Sequence, residues 1–272
     1  MNRTWLFTLV IVAALVIVWA ACQSAGDDER NGRQATPVPG DDDDDNNDTA
    51  APSDDDDDDT DSPFPRCPGR PEMILIPASD FIFRYDGDRY DEAGLSSERI
   101  DLDDYCIDEF EYPNIAGEYP LPVSWNESAQ LCAAIGKRLC SGPEWQKACT
   151  GPDNTVYPWG DKFDDQICNT HTDEWAAREV ARAGAWPACI SGYGVYDIAG
   201  NLSEWTEDIW QEGWQDRTVR GGGYNVNPAN RQEKQPDGFW EFTAYSQACS
   251  SIHHHGPDSV LTDDGTRCCA DP

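Results

Sequence analysis

The sequence predicts a loop-rich α+β domain with two main helices and several short strands, held together by disulfides. Three observations lead to this prediction: two closely spaced helix-start signals, an even number of cysteines after the N-terminal region, and many glycine and aromatic residues. The 272 residues include 22 glycines, 11 tryptophans and 11 cysteines. Aromatic side chains can fill the core of a domain that has little regular secondary structure.

Each helix is predicted from a capping box, in which a serine and a glutamate three residues later satisfy each other's exposed amides. The first box is Ser124–Glu127, and Gly136 suits the end of the helix that follows it. The second box is Ser141–Glu144, and its helix ends before Gly151. Short strands are expected at Met73–Ile76, at Phe81–Arg84 paired with Arg99–Cys106, and at Val219–Gly222.

The N-terminal segment Met1–Cys22 is predicted to be a targeting signal. Arg3 precedes the apolar run Leu6–Trp19, which is short for a membrane span. Two alanines before Cys22 resemble a bacterial lipoprotein box, so Cys22 is the predicted lipidation site and the chain is expected in the cell envelope. The alternative is an uncleaved anchor in which Cys22 is incidental. Gln23 after the cysteine favours the outer membrane, by resemblance to the lipoprotein sorting rule.

Residues 23–66 are predicted to be a disordered linker that contains two runs of aspartate. The segment has sixteen acidic and three basic residues and almost no apolar surface, so it cannot offset the entropy lost on ordering. A spacer is the simplest role, and a weak calcium or polycation sponge is the alternative. The net charge of the whole chain is −33, which argues against nucleic acid as a partner.

Residues 67–272 form the predicted domain, and all ten cysteines after Cys22 lie in it. An even number of cysteines in a secreted chain predicts disulfides rather than metal-binding thiolates or a free nucleophile. The residues by themselves leave the pairing open, because many connectivities are compatible with ten cysteines.

The stretch Gly192–Asp208 combines glycines, large aromatic rings and carboxylates in a short span. Asp197 and Glu204 lie on either side of a tight Ala-Gly-Asn turn, and such a turn can direct carboxylates and carbonyls at one point. This arrangement suits a hard cation such as calcium. The alternative is a core turn with solvated acids.

Six motifs, read together, resemble the formylglycine-generating-enzyme family, also called the sulfatase-modifying-factor domain. The resemblance covers about Cys67 to Cys269 and implies a variant of the C-type lectin fold. The motifs occur in the order of the family, at Pro122–Ala129, Gly136–Leu139, Glu144–Cys149, Tyr157–Asp161, Gly192–Asp208 and Val219–Tyr224.

The resemblance also implies specific pairs and ligands. It implies disulfides Cys132–Cys268 and Cys149–Cys249, and we expect the remaining pairs to be Cys168–Cys189, Cys106–Cys140 and Cys67–Cys269. One calcium site is implied at Asp197, the carbonyls of Gly200 and Leu202, and Glu204. A second calcium site is implied to begin at Asn169 and the carbonyl of Thr170.

The oxidases of this family bind copper(I) through two cysteines five residues apart, after the Arg-Gly-Gly stretch. Counted forward from that stretch, the first cysteine position is Val226; counted back from Cys249, the two positions are Phe239 and Ala244. None of these is a cysteine, so no copper is expected and no catalytic residue is assigned. His253–His255 predicts an exposed loop rather than a metal site. The expected function is a non-catalytic lipoprotein that binds a glycan, a peptide or an envelope protein. The alternative is an enzyme of the same family with relocated chemistry, and a third is a purely structural envelope protein.

Overall fold

The computed structural model describes residues 62–85, 96–170, 178–224 and 247–272. The predicted targeting segment and nearly all of the predicted linker lie outside these residues. The helices and strands, in chain order, are β1 Arg66–Cys67, β2 Arg70–Ile76, β3 Ser79–Tyr85, β4 Ser96–Leu102, β5 Tyr105–Asp108, α1 Trp125–Ala134, β6 Arg138–Leu139, α2 Gly142–Thr150, β7 Ser203–Ile209, β8 Arg217–Arg220, β9 Ile252–His255, β10 Asp264–Thr266 and β11 Cys268–Ala270.

Both helices form where the capping boxes predict them. The hydroxyl of Ser124 accepts the backbone N–H of Glu127, whose carboxylate accepts the N–H of Ser124 in return, at the start of α1. Ser141 and Glu144 make the same exchange at the start of α2. Gly151 ends α2 with a φ of 65°, a conformation that glycine adopts without strain. Neither these helices nor any other in the described ranges has the length and apolar character needed to cross a membrane.

The larger sheet joins the two ends of the described domain. Its five strands run in the order β1-β2-β5-β11-β6, and every neighbouring pair is antiparallel. The main core packs between this sheet, α2 and the Gly192–Asp208 stretch, and it includes Ile74, Ile107, Trp145 and Val195. In this strand order the last strand, β11, lies between β5 and β6, which both come from the first half of the domain.

The second sheet includes strand β7, which follows the turn between Asp197 and Glu204, called here the acid-rich turn. Its strand order is β10-β7-β8-β9, with β10 parallel to β7 and the other neighbours antiparallel. Glu204 lies opposite Arg220, and Trp205 lies opposite Val219. Because successive strand residues point to opposite faces, Glu204 and Trp205 lie on different faces of this sheet. Strands β3 and β4 form a separate two-stranded ribbon.

The structure corrects the strand that was expected at Arg99–Cys106. Strand β4 ends at Leu102 and pairs with β3, whereas β5 begins at Tyr105 and belongs to the five-stranded sheet. The chain changes sheets at Asp103 and Asp104, two exposed acids that suit a turn.

The strand that was expected at Val219–Gly222 is shifted towards the N-terminus. It ends at Arg220, because Gly221 and Gly222 have φ values of 84° and 62°, which are incompatible with a continuing strand. A Cβ at Gly221 would lie 2.8 Å from the carbonyl oxygen of Ile198, so this position also requires glycine for close packing.

Five disulfides link all ten cysteines that follow Cys22. Three are the expected pairs Cys132–Cys268, Cys149–Cys249 and Cys168–Cys189. The other two are Cys67–Cys106 and Cys140–Cys269, so the expected pairs Cys106–Cys140 and Cys67–Cys269 are wrong. The reason is strand order. Cys140 follows β6, which pairs with β11, and its Cα lies 4.9 Å from that of Cys269.

His253–His255 forms most of strand β9 rather than an exposed loop, which corrects that expectation. The strand pairs with β8, and His253 lies opposite Val219. Burial, together with the charges of the neighbouring His255 and His254, lowers the pKa of His253 to about 4. The side chains alternate between the two faces of the sheet, so the three imidazoles do not converge on one point.

Residues 62–66 belong to the folded domain, although they were assigned to the linker. Phe64 packs against the main core, and a Cβ at Gly194 would lie 2.3 Å from its ring. The carbonyl of Pro65 accepts the N–H of Leu75 at 2.9 Å, and Arg66 forms an ion pair with Glu109 at 2.7 Å.

Candidate functional site

The acid-rich turn is built from left-handed backbone. The φ values of Asp197, Gly200 and Asn201 are 54°, 79° and 53°. Asp and Asn are among the few residues other than glycine that adopt this conformation readily. A Cβ at Gly200 would lie 2.7 Å from the carbonyl oxygen of Asn169, so only glycine fits here. The turn therefore brings the two regions that were expected to bind calcium against each other.

Glu204 is fully buried, and both of its oxygens are engaged. The Nε of Arg267 lies 3.0 Å from each oxygen, and its Nη2 lies 2.8 Å from Oε1. The indole N–H of Trp145 donates to Oε2 at 2.7 Å. These four contacts use the lone-pair sites that a carboxylate offers. Glu204 is thus the acceptor of a complete buried ion pair.

Arg267 is satisfied on its other side as well. It donates to the backbone carbonyls of Asp108 at 2.9 Å and Tyr196 at 2.7 Å. Burial lowers the pKa of Arg267, but the charge and hydrogen bonds of Glu204 outweigh this effect and leave the pKa above its ordinary value. The guanidinium therefore stays charged in the interior and connects three separate segments.

Glu111 is a second buried carboxylate beside this ion pair. It accepts the backbone N–H of Leu202 at 2.9 Å and the side-chain amide of Asn201 at 2.6 Å. Burial raises the pKa of Glu111 well above its ordinary value, and the charges of Asp197 and Glu204 raise it further. Glu111 lies outside the turn in the sequence, and its hydrogen bonds hold the turn in place.

Asp197 is the third carboxylate of the group. Burial raises the pKa of Asp197 to about 6, although the hydrogen bond from the N–H of Gly184, at 2.7 Å, works in the opposite direction. Glu111, Asp197 and Glu204 all act electrostatically on the single guanidinium of Arg267. The region therefore holds more carboxylates than cationic side chains.

The structure tests how well the expected calcium ligands fit that role. Glu204 does not fit it as it lies here, because Arg267 and Trp145 occupy its oxygens. Asp197 already accepts one backbone N–H. Across the four described ranges, no three His, Cys, Asp or Glu side chains are grouped so that they could hold a metal ion. Calcium binding at Asp197, Gly200, Leu202 and Glu204 stays a prediction, and in this structure the cation beside Glu204 is Arg267.

The other expected calcium region is used for packing. The side-chain amide of Asn169 donates to the carbonyl of Glu179 at 2.9 Å and to the side chain of Asn201 at 3.0 Å. The carbonyl of Asn169 accepts the N–H of Asn201 at 2.9 Å. Thr170 is buried, and its N–H donates to the carbonyl of Cys168 at 2.8 Å. Asn169 therefore holds the turn through two hydrogen bonds to Asn201, and its third hydrogen bond connects it to Glu179.

The positions that would correspond to copper ligands, Val226, Phe239 and Ala244, lie outside the described residues. Tyr224, just before them, donates its N–H to the carbonyl of Asn201 at 2.7 Å. It also lines a surface depression of about 380 Å³ together with Tyr119, Glu179 and Val180.

Sequence reasoning missed Arg267 and Glu111, the two residues that hold the turn from a distance. Arg267 is 63 residues away from Glu204, and Glu111 is 91 residues away from Leu202. Neither lies in a local pattern that points to the turn. The one available signal was that Arg267 precedes Cys268, a cysteine already expected in a disulfide.

The fold and the site define a class: a disulfide-rich, loop-rich α+β domain with a buried ion pair under a glycine-rich turn. The solved structure of PvdO from Pseudomonas aeruginosa resembles this chain with a TM-score of 0.55 at 16% identity. The match covers 76% of this chain and 96% of that chain, and it bears on the fold alone.

Residues 120–247 match the family model described as the sulfatase-modifying factor enzyme 1-like domain. The chain is 30% identical over 177 residues to the formylglycine-generating enzyme of Bos taurus, covering 56% of this chain and 43% of the relative. It is 36% identical over 118 residues to the inactive C-alpha-formylglycine-generating enzyme 2 of Bos taurus, covering 39% of each. Over these residues the chain is similar to the formylglycine-generating-enzyme-like family. It spans less than half the length of these two relatives.

Proposed function

We propose that this protein is a non-catalytic binding or structural module of the bacterial cell envelope, carried on a lipid anchor. The main support is the state of its cysteines. The sequence has 11, and ten of them lie in the five disulfides of the domain. The eleventh, Cys22, is the proposed lipidation site. A thiolate pair for copper(I) would therefore require a disulfide of the domain to be broken.

The alternative, an oxidoreductase with relocated chemistry, would need other soft ligands. The candidates for such ligands are Cys189, Cys249 and the histidine run His253–His255. Cys189 is bonded to Cys168, and Cys249 is bonded to Cys149. All four sulfur-bearing residues are buried, which suits structural disulfides rather than reactive thiols. The name of one relative, an inactive formylglycine-generating enzyme, is compatible with this choice.

The proposed module has a glycan, a peptide or an envelope protein as its ligand, and calcium remains a proposed cofactor. Two or more acyl chains at Cys22 would give stable membrane attachment. The acidic segment after Cys22 would act as a spacer between the membrane and the domain.

The test of the non-catalytic role is a peptide oxidation assay. The purified, copper-loaded protein is incubated with a Cys-x-Pro-x-Arg peptide, and the mass change that accompanies aldehyde formation is read. The expected result is no turnover above a copper-only blank. Turnover above that blank would overturn the proposal and direct attention to reduced forms of Cys189 and Cys249.

The anchor is tested separately. The native chain is expected to partition into detergent and to carry an acyl mass increment at Cys22. Cys22→Ser is expected to lose the increment while the folded domain keeps its thermal unfolding temperature. A native chain without an acyl increment would contradict the anchor and leave the non-catalytic role standing.

A further inference from the structure

Three aromatic rings meet where β7 and β8 connect. Trp210 stacks on His254, with ring centroids 4.3 Å apart and planes at 20°. Trp214 approaches His254 edge-on, with centroids 6.3 Å apart and planes at 89°. Trp214 is 53% exposed. These three residues, called here the aromatic corner, present aromatic surface in two perpendicular planes.

The aromatic corner is held in place by the local backbone. The N–H of Trp210 donates to the carbonyl of Asp216 at 3.0 Å, and the N–H of Trp214 donates to the carbonyl of Gln211 at 3.0 Å. The Nδ1 of His254 lies 2.9 Å from a carboxylate oxygen of Asp216, which ties β9 to the connection. The rings are therefore arranged before any ligand arrives, which reduces the entropy lost on binding.

The charge around the aromatic corner is negative. Residues 207–216 contain four acids and no base, and Glu207 and Glu212 are exposed. Arg217 follows, but its guanidinium lies 4.0 Å from the ring centre of Trp125, which holds it in a cation–π contact. The chain as a whole carries a net charge of −33. Such a surface attracts cations and repels anions.

We propose that the aromatic corner binds a small quaternary ammonium group, of which choline is the simplest example. Aromatic faces attract cations through the ring quadrupole, most strongly for tryptophan. A primary ammonium has three N–H donors that need acceptors, and one oxygen of Asp216 is already engaged by His254. A quaternary ammonium has no such donor, so ring faces and nearby negative charge suffice for it. A neutral sugar carries no charge that the surrounding carboxylates could attract.

This inference rests on the proposed binding role and adds a ligand class to it. The test measures binding and no oxidation, so the two proposals fail independently. Choline is titrated into the full chain in detergent at low ionic strength and followed by calorimetry. We expect one site per chain, whose affinity falls as salt is added. Dimethylbutanol, the neutral carbon isostere of choline, is expected to bind at least about fivefold more weakly, in line with one cation–π contact.

Variants locate the site. Trp214→Ala is expected to weaken choline binding about fivefold or more, and Glu212→Gln to weaken it and reduce the salt dependence. Trp159→Ala is the matched control, because Trp159 stacks on Tyr157 in another part of the fold, with centroids 5.3 Å apart. The Trp159→Ala variant is expected to bind choline as tightly as the native chain does. Thermal unfolding checks that each variant is folded.

Four outcomes would overturn the proposal. They are no binding of choline, equal binding of dimethylbutanol, unchanged affinity in Trp214→Ala, and tighter binding of a lysine-rich peptide than of choline. The second would identify a merely apolar surface, and the fourth would identify a protein partner. None of them bears on whether the domain oxidises a peptide cysteine.

Discussion

At the residue scale, the turn depends on a buried charge pair that spans the domain. Arg267 and Glu204 are both fully buried, and the Nε and Nη2 groups of Arg267 donate to the two carboxylate oxygens of Glu204. A buried pair of this kind costs desolvation energy, so its net contribution to stability is modest. Removal of one partner alone is different, because the remaining charge loses its compensation.

We therefore predict that Arg267→Met destabilises the domain by about 3–5 kcal/mol, because Glu204 is left buried and unpaired. The double variant Arg267→Met with Glu204→Gln is expected to recover part of this loss. Denaturant unfolding followed by circular dichroism gives both free energies. Equal losses in the single and double variants would show that the charge pair is not the cause.

Asp264 is a second residue whose surroundings have a measurable consequence. It is 2% exposed, and burial together with the charge of Asp263 raises its pKa to about 7. His255 lies on the other side, with its Nε2 3.6 Å from a carboxylate oxygen of Asp264. Burial lowers the pKa of His255, so burial disfavours the charged form of both groups.

The sign of the pH effect follows from the raised pKa of Asp264. The folded chain holds this proton more strongly than the unfolded chain, whose value is near 3.8. The contribution of Asp264 to the free energy of unfolding is therefore fully present below about pH 4 and is lost as the pH rises through about 7. Asp264→Asn is expected to be more stable than the native chain at about pH 8, by a few kcal/mol at most, since one pKa unit is worth about 1.4 kcal/mol. Parallel stability curves from about pH 4 to 8 would contradict this.

At the scale of elements, the two helices are defined by their first turns. In α2 the carboxylate of Glu144 serves the cap and also pairs with Arg138, at 2.7 and 2.8 Å. The helix therefore fixes the end of β6 as well as its own start. Its Trp145 then reaches Glu204, so the cap positions a residue of the buried site.

We predict that Ser141→Ala destabilises the domain by about 0.5–2 kcal/mol, because the hydroxyl that accepts the N–H of Glu144 is lost. Ser97→Ala on the exposed strand β4 is the matched control and is expected to change stability by less than about 0.5 kcal/mol. Urea midpoints measured in parallel compare the two. A cap variant with the midpoint of the control would contradict the role of the capping box.

At the scale of the whole molecule, disulfides join segments that are far apart in the chain. The pairs Cys132–Cys268 and Cys140–Cys269 close separations of 136 and 129 residues. Cys268 and Cys269 are neighbours in β11 and therefore point to opposite faces of its sheet. One reaches α1, and the other reaches the residue after β6. The C-terminal strand is thus fixed from both faces.

We predict that intact mass before and after reduction and alkylation will show ten paired cysteines in the domain. Peptide mapping without reduction is expected to yield Cys67 linked to Cys106 in a fragment that lacks Cys140. That fragment distinguishes the observed connectivity from the expected pair Cys106–Cys140. Two or more free thiols, or a fragment that joins Cys106 to Cys140, would refute the connectivity.

The sequence alone determined the features that depend on neighbours in the chain. A capping box is complete within four residues, so Ser124 and Ser141 predicted both helices. The even number of cysteines predicted full disulfide pairing, and the order of the motifs predicted the family and hence the fold. The acid-rich turn was recognised for the same reason, since Asp197, Gly200 and Glu204 lie within one short stretch.

Only the tertiary structure decided what meets across the sheets. The pairing Cys140–Cys269 depends on β11 lying beside β6, and no local pattern encodes that strand order. The partner of Glu204 is likewise set by packing, because Arg267 arrives from the last strands of the domain. His253–His255 is a strand because its backbone pairs with the edge of β8. Local energies fix local structure, whereas these contacts exist only once distant segments are packed together.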